Sequence, residues 1–255
     1  MCLILLAYDV HPGYRLILAA NRDEFFARPS APVGYWDDAP QILAGRDLKD
    51  GGTWLGITRS GRIAALTNYR EPGSERRDAP SRGSLVRGFL QGDESVEEYL
   101  AILRREGGSY NGFNLIFGEM DRLCWFSNHH ESHLFLGPGI HGLSNRILDT
   151  PWPKVSRGKD ALARIVEGSS EISVEQLLAV LADRTVPADE ELPETGVGIE
   201  LERLLSPIFI SSPAYGTRSS TVILIDREDR VTFFERSFNG GPGESKDTEW
   251  RFTIG

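Results

Sequence analysis

Cys2 follows the initiator Met1, and removal of Met1 would leave a thiol nucleophile and a free α-amine on one residue. An α-amine has an ordinary pKa of about 7.7–8.0, so it can take the thiol proton without help from a histidine. A cysteine here can equally pack as a small apolar residue at the start of a strand. Cys2 alone leaves both interpretations open, and the residues around it must decide between them.

The charged sequence Asn21–Glu24 is expected to lie beside Cys2. Two apolar stretches flank a turn-forming sequence at residues 11–14, and this pattern predicts a hairpin. Antiparallel pairing about that turn returns position 21 to the neighbourhood of position 2. Arg22 would then lower the pKa of the thiol, and Asp23 would hold the α-amine. The alternative is a solvated charged loop at the end of a strand.

Further polar residues stand at the ends of predicted strands. Asn68 and Asn145 each end a strand, and asparagine amides are good oxyanion donors, although a single asparagine is more often a turn former. Arg218 opens an apolar strand and either faces the same site or is exposed to solvent. Trp54 lies within the glycine-rich sequence Gly51–Gly56, which predicts either a pocket wall or a tight turn into a strand.

Residues 129–133 form the most histidine-dense segment of the chain. His129, Glu131 and His133 alternate, so they would share one face of an extended segment. A metal site needs a complete ligand set in a defined geometry, and an exposed hairpin tip is the favoured interpretation. His129, His130 and His133 remain weak candidates for ligands of haem or a metal.

Composition excludes several functional classes. The net charge is −9 with both signs interleaved, so binding to nucleic acid or to an anionic membrane is disfavoured. The apolar stretch Leu3–Ala7 is too short to span a bilayer and lacks the basic region of a signal peptide. Cys2 and Cys124 are the two cysteines, which favours a reducing compartment. We therefore expect a cytoplasmic protein without a transmembrane segment.

The predicted elements follow the order strands, two helices, strands, two helices, strands. Helices are predicted over residues 81–91, 96–105, 154–166 and 174–182. A polar loop that contains Pro29, Pro32 and Pro40 is predicted after the first hairpin, and a mobile surface loop is predicted over residues 185–195. Hairpin connections make the sheets mainly antiparallel, so the expected fold class is α+β, a four-layer αββα sandwich forming a single domain over residues 1–255.

These motifs together resemble the NRDE family, also called the transport and Golgi organisation protein two family. The likeness is carried by Met1-Cys2, Asn21–Glu24, Gly51–Gly56 and Leu66–Arg70, and it extends over the whole chain. The resemblance implies a fold similar to that of the N-terminal-nucleophile (Ntn) hydrolases. It also implies a likeness to cysteine Ntn amidases such as bile-salt hydrolases and penicillin V acylases.

The resemblance implies a role for each matching position: Cys2 as nucleophile and base, Arg22 and Asp23 as activating and orienting groups, Asn68 and Asn145 as oxyanion donors, and Arg218 beside the thiol. In one respect this chain departs from the amidases. They usually carry Arg-Asn-x-Asp where this chain has Asn21-Arg22-Asp23, so the assignment of Arg22 and Asp23 shifts by about a residue.

Two functional hypotheses follow. The first is an amidohydrolase that cleaves a linear amide of a small acyl compound through Cys2, with no cofactor required. The second is a non-catalytic carrier that holds haem or another lipid-like apolar ligand in the same pocket, because family members are linked to haem transfer and to lipid and coenzyme A metabolism. The residues predicted to contact the ligand are Asn21, Tyr35, Trp36, Trp54 and Tyr69. Partner proteins are not predicted.

Overall fold

The computed structural model describes residues 2–129, 132–238 and 244–255. Within these ranges the strands are β1 (Cys2–Tyr8), β2 (Tyr14–Phe25), β3 (Ser30–Trp36), β4 (Ala39–Asp47), β5 (Leu55–Thr58), β6 (Ile63–Asn68), β7 (Phe113–Glu119), β8 (Arg122–Ser127), β9 (Ser132–Phe135), β10 (Gly139–Leu143), β11 (Tyr215–Asp226), β12 (Arg230–Phe238) and β13 (Ser245–Thr253). The helices are α1 (Gly83–Gln91), α2 (Val96–Glu106), α3 (Pro153–Gly168), α4 (Val174–Leu181) and α5 (Ile199–Leu205).

The chain divides into two compact units, each assembled from separate stretches of sequence. The first unit draws on residues 1–27, 137–144 and 148–252, and the second on residues 28–136, 145–147 and 253–255. No helix within the described ranges is long and apolar enough to cross a membrane.

The first unit contains a six-stranded sheet in the order β10-β1-β2-β11-β12-β13, with antiparallel neighbours from β10 to β12. Its apolar core lies between one face of this sheet and helices α3 and α4. Leu3 and Leu5 of β1 belong to that core, and a Cβ on Gly158 of α3 would lie 2.7 Å from the Leu5 side chain. Glycine at position 158 therefore lets α3 pack closely against β1.

The second unit contains a seven-stranded antiparallel sheet in which β3 to β9 follow one another in sequence order. Helices α1 and α2 cover its apolar core, where the rings of Phe89, Tyr99 and Phe117 pack edge to face. Ser95 and Glu98 form a capping box at the start of α2. This box satisfies backbone N–H groups that would otherwise lack partners at the helix start.

The structure confirms the α+β class with two mainly antiparallel sheets and the four predicted helices. The prediction of a polar loop containing Pro29, Pro32 and Pro40 was wrong, because β2 continues to Phe25 and β3 and β4 follow it. In β3 only Val33 and Trp36 are fully buried, and its pairing with β4 has two register irregularities. The regular alternation that marks a strand in a sequence is therefore missing. Helix α5 was also not predicted.

Candidate functional site

Three side chains lie in a row across the first unit's sheet, on one face of β1, β2 and β11. Arg22 pairs directly with Cys2 on one side and with Ser219 on the other. Residues directly opposite each other in an antiparallel sheet present their side chains on the same face. Leu3, the neighbour of Cys2, packs in the core against α3 and α4. The row Cys2–Arg22–Ser219 consequently lies on the face directed away from those helices.

Asn21, one residue along β2, belongs to the helix-facing side. Its side-chain nitrogen donates to the carbonyl oxygens of Leu181 and Ile208, both at 2.8 Å, and its side-chain oxygen accepts from the Ser220 hydroxyl at 2.6 Å. Asn21 is 1% exposed. The structure thus places this predicted ligand-contacting residue among main-chain groups that tie β2 to the end of α4.

Asp23 is also buried, and its surroundings contain both a hydrogen bond and positive charge. Its Oδ1 accepts from the Thr217 hydroxyl at 2.7 Å, while that hydroxyl accepts from the Ile210 N–H at 2.9 Å. Burial raises the pKa of Asp23, while the positive amino terminus, the buried Lys154, the Thr217 hydrogen bond and Arg22 act in the opposite direction. The buried carboxyl group lies on β2 next to Arg22, and its role in orienting the α-amine of Cys2 stays a prediction.

The thiol of Cys2 lies in a partly buried position at the start of β1. Burial raises its pKa, and the positive amino terminus and Arg22 partly counteract this effect. The Ser144 hydroxyl donates to the Cys2 carbonyl oxygen at 3.2 Å and holds the backbone here. A thiol with a raised pKa is protonated near neutral pH, so its reaction as a nucleophile requires a base.

Arg218 lies in an irregularity of the β11–β2 pairing, between Thr217 and Ser219. Its guanidinium donates to the carbonyl oxygens of Phe25 and Phe26 at 2.9 and 3.2 Å. Burial and the charge of Arg22 lower the pKa of Arg218. The structure thus brings Arg218 to the same end of the sheet as Arg22, with its hydrogen bonds directed to the end of β2.

Asn68 and Asn145 meet in the second unit. The Asn145 side-chain amide donates to the Asn68 carbonyl oxygen at 2.8 Å, and the Asn145 carbonyl accepts from the Arg70 N–H at 2.8 Å. Asn145 is fully buried, and Asn68 is partly buried at the end of β6. The role of both residues as oxyanion donors stays a prediction.

The predicted ligand-contacting aromatic residues have different surroundings in the second unit. Trp36 lies in the apolar core and donates to the Ala44 carbonyl oxygen at 3.2 Å. Tyr35 is partly buried below the guanidinium of Arg59, 4.1 Å from the ring centroid. Trp54 packs so closely on Gly45 that a Cβ there would lie 2.5 Å from the indole. Of these three aromatic rings, the Trp36 ring belongs to the apolar core.

The histidine-dense segment is split between two environments. The His129 ring stacks on Tyr69 with ring centroids 3.9 Å apart, whereas His133 is exposed and contacts the Arg104 guanidinium at 3.1 Å. His130 lies outside the described residues. Among the residues that the structure describes, no three His, Cys, Asp or Glu side chains are grouped as metal ligands would be.

Two residues near Cys2 were missed as individual site residues. Thr217 donates a hydrogen bond to the Asp23 carboxyl group. Ser219 is 4% exposed, and its hydroxyl has no hydrogen-bond partner among the described residues. Residues 217–221 are polar and directly precede the apolar run at residues 222–225, and this polar start of the strand is the signal that could have found both.

Solved structures with a similar fold define the structural class. The chain matches the mutant C2A conjugated bile acid hydrolase from Clostridium perfringens with a TM-score of 0.56 and 9% identity, covering 98% of this chain and 92% of that one. It matches the Caenorhabditis elegans N-acylethanolamine-hydrolyzing acid amidase ortholog with a TM-score of 0.51 and 12% identity, covering 88% and 92%. The fold is that of the Ntn hydrolases.

Sequence comparison then shows the family. The family model Transport and Golgi organisation 2 matches residues 1–240. The Transport and Golgi organization protein 2 homologs of Bos taurus and Homo sapiens are each 41% identical, over 99% and 93% of this chain and 97% and 93% of their own lengths. The Drosophila melanogaster protein is 33% identical over 94% of this chain and 93% of its own length. The chain belongs to the Transport and Golgi organisation 2 family, which confirms the resemblance.

Proposed function

We propose that this protein, once Met1 is removed, is a cysteine amidohydrolase that cleaves a linear amide of a small acyl compound. The observation that carries the proposal is the row Cys2–Arg22–Ser219 on one face of the sheet, with the buried Asp23 carboxyl group at the next position of β2. The names of the two structural relatives, an acid amidase and a conjugated bile acid hydrolase, support the same reaction class.

In the proposed reaction the α-amine of Cys2 takes the proton from its own thiol, and the sulfur attacks the amide carbonyl carbon. The protonated amine then gives that proton to the leaving nitrogen as the carbon–nitrogen bond breaks, which leaves a thioester on Cys2. Water, deprotonated by the same amine, attacks the thioester, and the acid is released with the thiol restored. Each step uses a group that the mature residue itself carries.

The neighbouring residues have distinct tasks in this scheme. Arg22 favours the thiolate because its positive charge lies directly across from Cys2 on the adjacent strand. Asp23 favours the protonated state of the α-amine, which is needed when the leaving nitrogen takes up its proton. Ser219 offers a buried hydroxyl to a polar group of the substrate in the same row.

Intact-protein mass spectrometry with a cysteine-directed acylating probe is the first test. We expect a mass without Met1 and a single adduct that the Cys2→Ala variant does not form. Cys124 is the internal control, because burial raises its pKa to about 12 and it is fully buried in the second unit. An adduct that persists in Cys2→Ala would contradict the assignment of the nucleophile.

Turnover is the second test. A panel of N-acyl ethanolamines and N-acyl amino acids should contain at least one amide that the wild type hydrolyses and Cys2→Ala does not. Arg22→Gln should slow acylation of Cys2 by roughly tenfold, because the loss of one nearby opposite charge raises a thiol pKa by about one unit. Arg164→Gln on the exposed side of α3 is the matched control.

A retained Met1 would leave no free α-amine on Cys2 and would overturn the proposed base. That result would favour a carrier of haem or another apolar ligand, which was the alternative from the sequence. Titration with haemin, monitored through the Soret band, separates the two functions, because a carrier shifts that band without consuming any amide.

A further inference from the structure

A cavity of about 390 Å³ lies in the first unit, beside α4 and strands β11 to β13. Leu178 of α4, Phe209, and Ser220 of β11 are among the residues that line it. Ser220 donates to Asn21 on the helix-facing side of the sheet. The cavity therefore lies on the opposite side of β11 from Cys2, Arg22 and Ser219. Its volume falls within the range of about 300–1,000 Å³ that is usual for small-molecule pockets.

Two aromatic rings form an apolar wall of this cavity. Phe209 and Phe238 pack edge to face, with ring centroids 5.0 Å apart and an interplanar angle of 86°. The Arg184 guanidinium lies 4.6 Å from the centroid of the Phe209 ring. Aromatic edges and faces of this kind favour a further aromatic ring, because aromatic pairs adopt edge-to-face or offset-stacked contacts.

The two arginines that line the cavity differ in whether a carboxylate neutralises their charge. Arg236 binds both carboxylate oxygens of Asp247 at 2.8 Å and also contacts Glu175 at 3.3 Å, so its charge is already neutralised. Arg184 makes no ion pair with any residue in the described ranges, and its guanidinium is exposed. The cavity thus offers one cation next to an aromatic wall.

We propose that this cavity is a binding site for a small aromatic carboxylate. The ring of the ligand packs against Phe209 and Phe238, and its carboxylate accepts hydrogen bonds from the planar guanidinium of Arg184, which suits two parallel bonds. The site is separate from Cys2 and does not depend on amide hydrolysis. Ser220 connects it to Asn21, the residue that precedes Arg22 on β2.

The test uses 2-naphthoate as the probe and isothermal titration calorimetry on the Cys2→Ala protein, so that no reaction at Cys2 contributes. We expect saturable binding to one site, weakened roughly tenfold or more by Arg184→Gln, because a charge-assisted hydrogen bond is lost. Arg164→Gln removes an equal charge from the same unit outside the cavity and should leave the affinity unchanged. Equal affinity of Arg184→Gln and the parent protein would overturn the proposal, and so would absence of binding at low millimolar probe.

Two further ligands test the chemistry of the occupant. 2-Naphthamide, which has the same ring without the charge, should bind at least tenfold more weakly. Octanoate, which has the charge without a ring, should also bind more weakly, and equal binding of octanoate would overturn the aromatic assignment. Nuclear Overhauser effects from the probe to the Leu178 methyl groups should place the ring in the cavity, and their absence from a saturated sample would place it elsewhere.

Discussion

The two faces of the first unit's sheet differ sharply at a single point of β11. Ser220 faces the helices, and its hydroxyl is bound to Asn21, whose amide is bound in turn to the carbonyls of Leu181 and Ile208. Ser219, the preceding residue, faces the other way in the row with Arg22 and Cys2, and its buried hydroxyl has no hydrogen-bond partner among the described residues.

The hydrogen-bonded residues Ser220 and Asn21 stabilise the fold, whereas Ser219 keeps a hydroxyl that a ligand could bind. Buried polar groups that satisfy one another stabilise a particular arrangement of strands and helices. A buried hydroxyl without a partner costs free energy, and such a cost beside a candidate nucleophile is typical of a place where a ligand supplies the missing bond. Substitutions on the helix-facing side should therefore lower the stability of the fold, whereas substitution of Ser219 on the other face should mainly lower the rate of amide turnover.

The largest loss of stability is expected for Asn21→Leu. It leaves the carbonyls of Leu181 and Ile208 and the hydroxyl of Ser220 without their partner in a buried position. We expect a loss of about 3–5 kcal/mol in the free energy of unfolding, measured by urea denaturation. A loss below about 1 kcal/mol would show that the helix-facing contacts are not structural.

Thr217→Val should have the next largest effect, about 2 kcal/mol, because the variant keeps the shape but loses the hydroxyl between Asp23 and Ile210. Thr217→Ser keeps that hydroxyl and is the matched control. Loss of the hydrogen bond should raise the pKa of Asp23 further, so the deficit should be greater where the carboxylate is ionised and smaller in acid. A deficit that did not change with pH would argue against an ionised Asp23.

The adjacent serines provide the most direct test of the comparison. Ser220→Ala should cost about 1 kcal/mol in unfolding free energy, because Asn21 loses the donor to its oxygen. Ser219→Ala should stay within about 0.5 kcal/mol of the wild type while slowing amide turnover several-fold. The reverse order of stability would refute the assignment of the two faces.

A loss of stability that depends on pH is expected at Asp149, in a polar cluster near the other end of β1. Burial opposes its ionisation, but bonds from His141, Lys159 and the Gly142 N–H prevail and lower its pKa to about 2. A lowered carboxyl pKa stabilises the fold above about pH 4, and this contribution is lost as the pH falls through 2. Asp149→Asn should therefore cost about 1 kcal/mol at neutral pH and progressively less below pH 4.

Asparagine suits position 149 because it tolerates the positive φ of 58° found there. His141 pairs with Leu6, roughly 13 Å along β1 from Cys2. The Asp149→Asn variant should consequently leave the rate of Cys2 acylation unchanged. A changed rate would show that this cluster acts on the nucleophile.

Much of the fold and the pairing of residue 2 with residue 22 could be predicted from local patterns. The first hairpin brought residue 22 opposite residue 2 because a strand, a short turn and a second strand determine their own register. The helices predicted over residues 96–105 and 174–182 were found as α2 and α4, which begin directly after the capping residues Ser95 and Ser173. In contrast, β3 and β4 escaped prediction because their pairing has two register irregularities, and these disturb the alternation of buried and exposed residues.

The sequence by itself determined the nucleophile candidate, the charged strand end beside it and the α+β class, since each depends on residues close together in the chain. Only the tertiary structure decided which face each polar side chain occupies and which partner it finds. Asn21 meets Leu181, Ile208 and Ser220 across 160 to 199 residues of sequence. Such contacts depend on how strands and helices pack, and no short-range pattern encodes them.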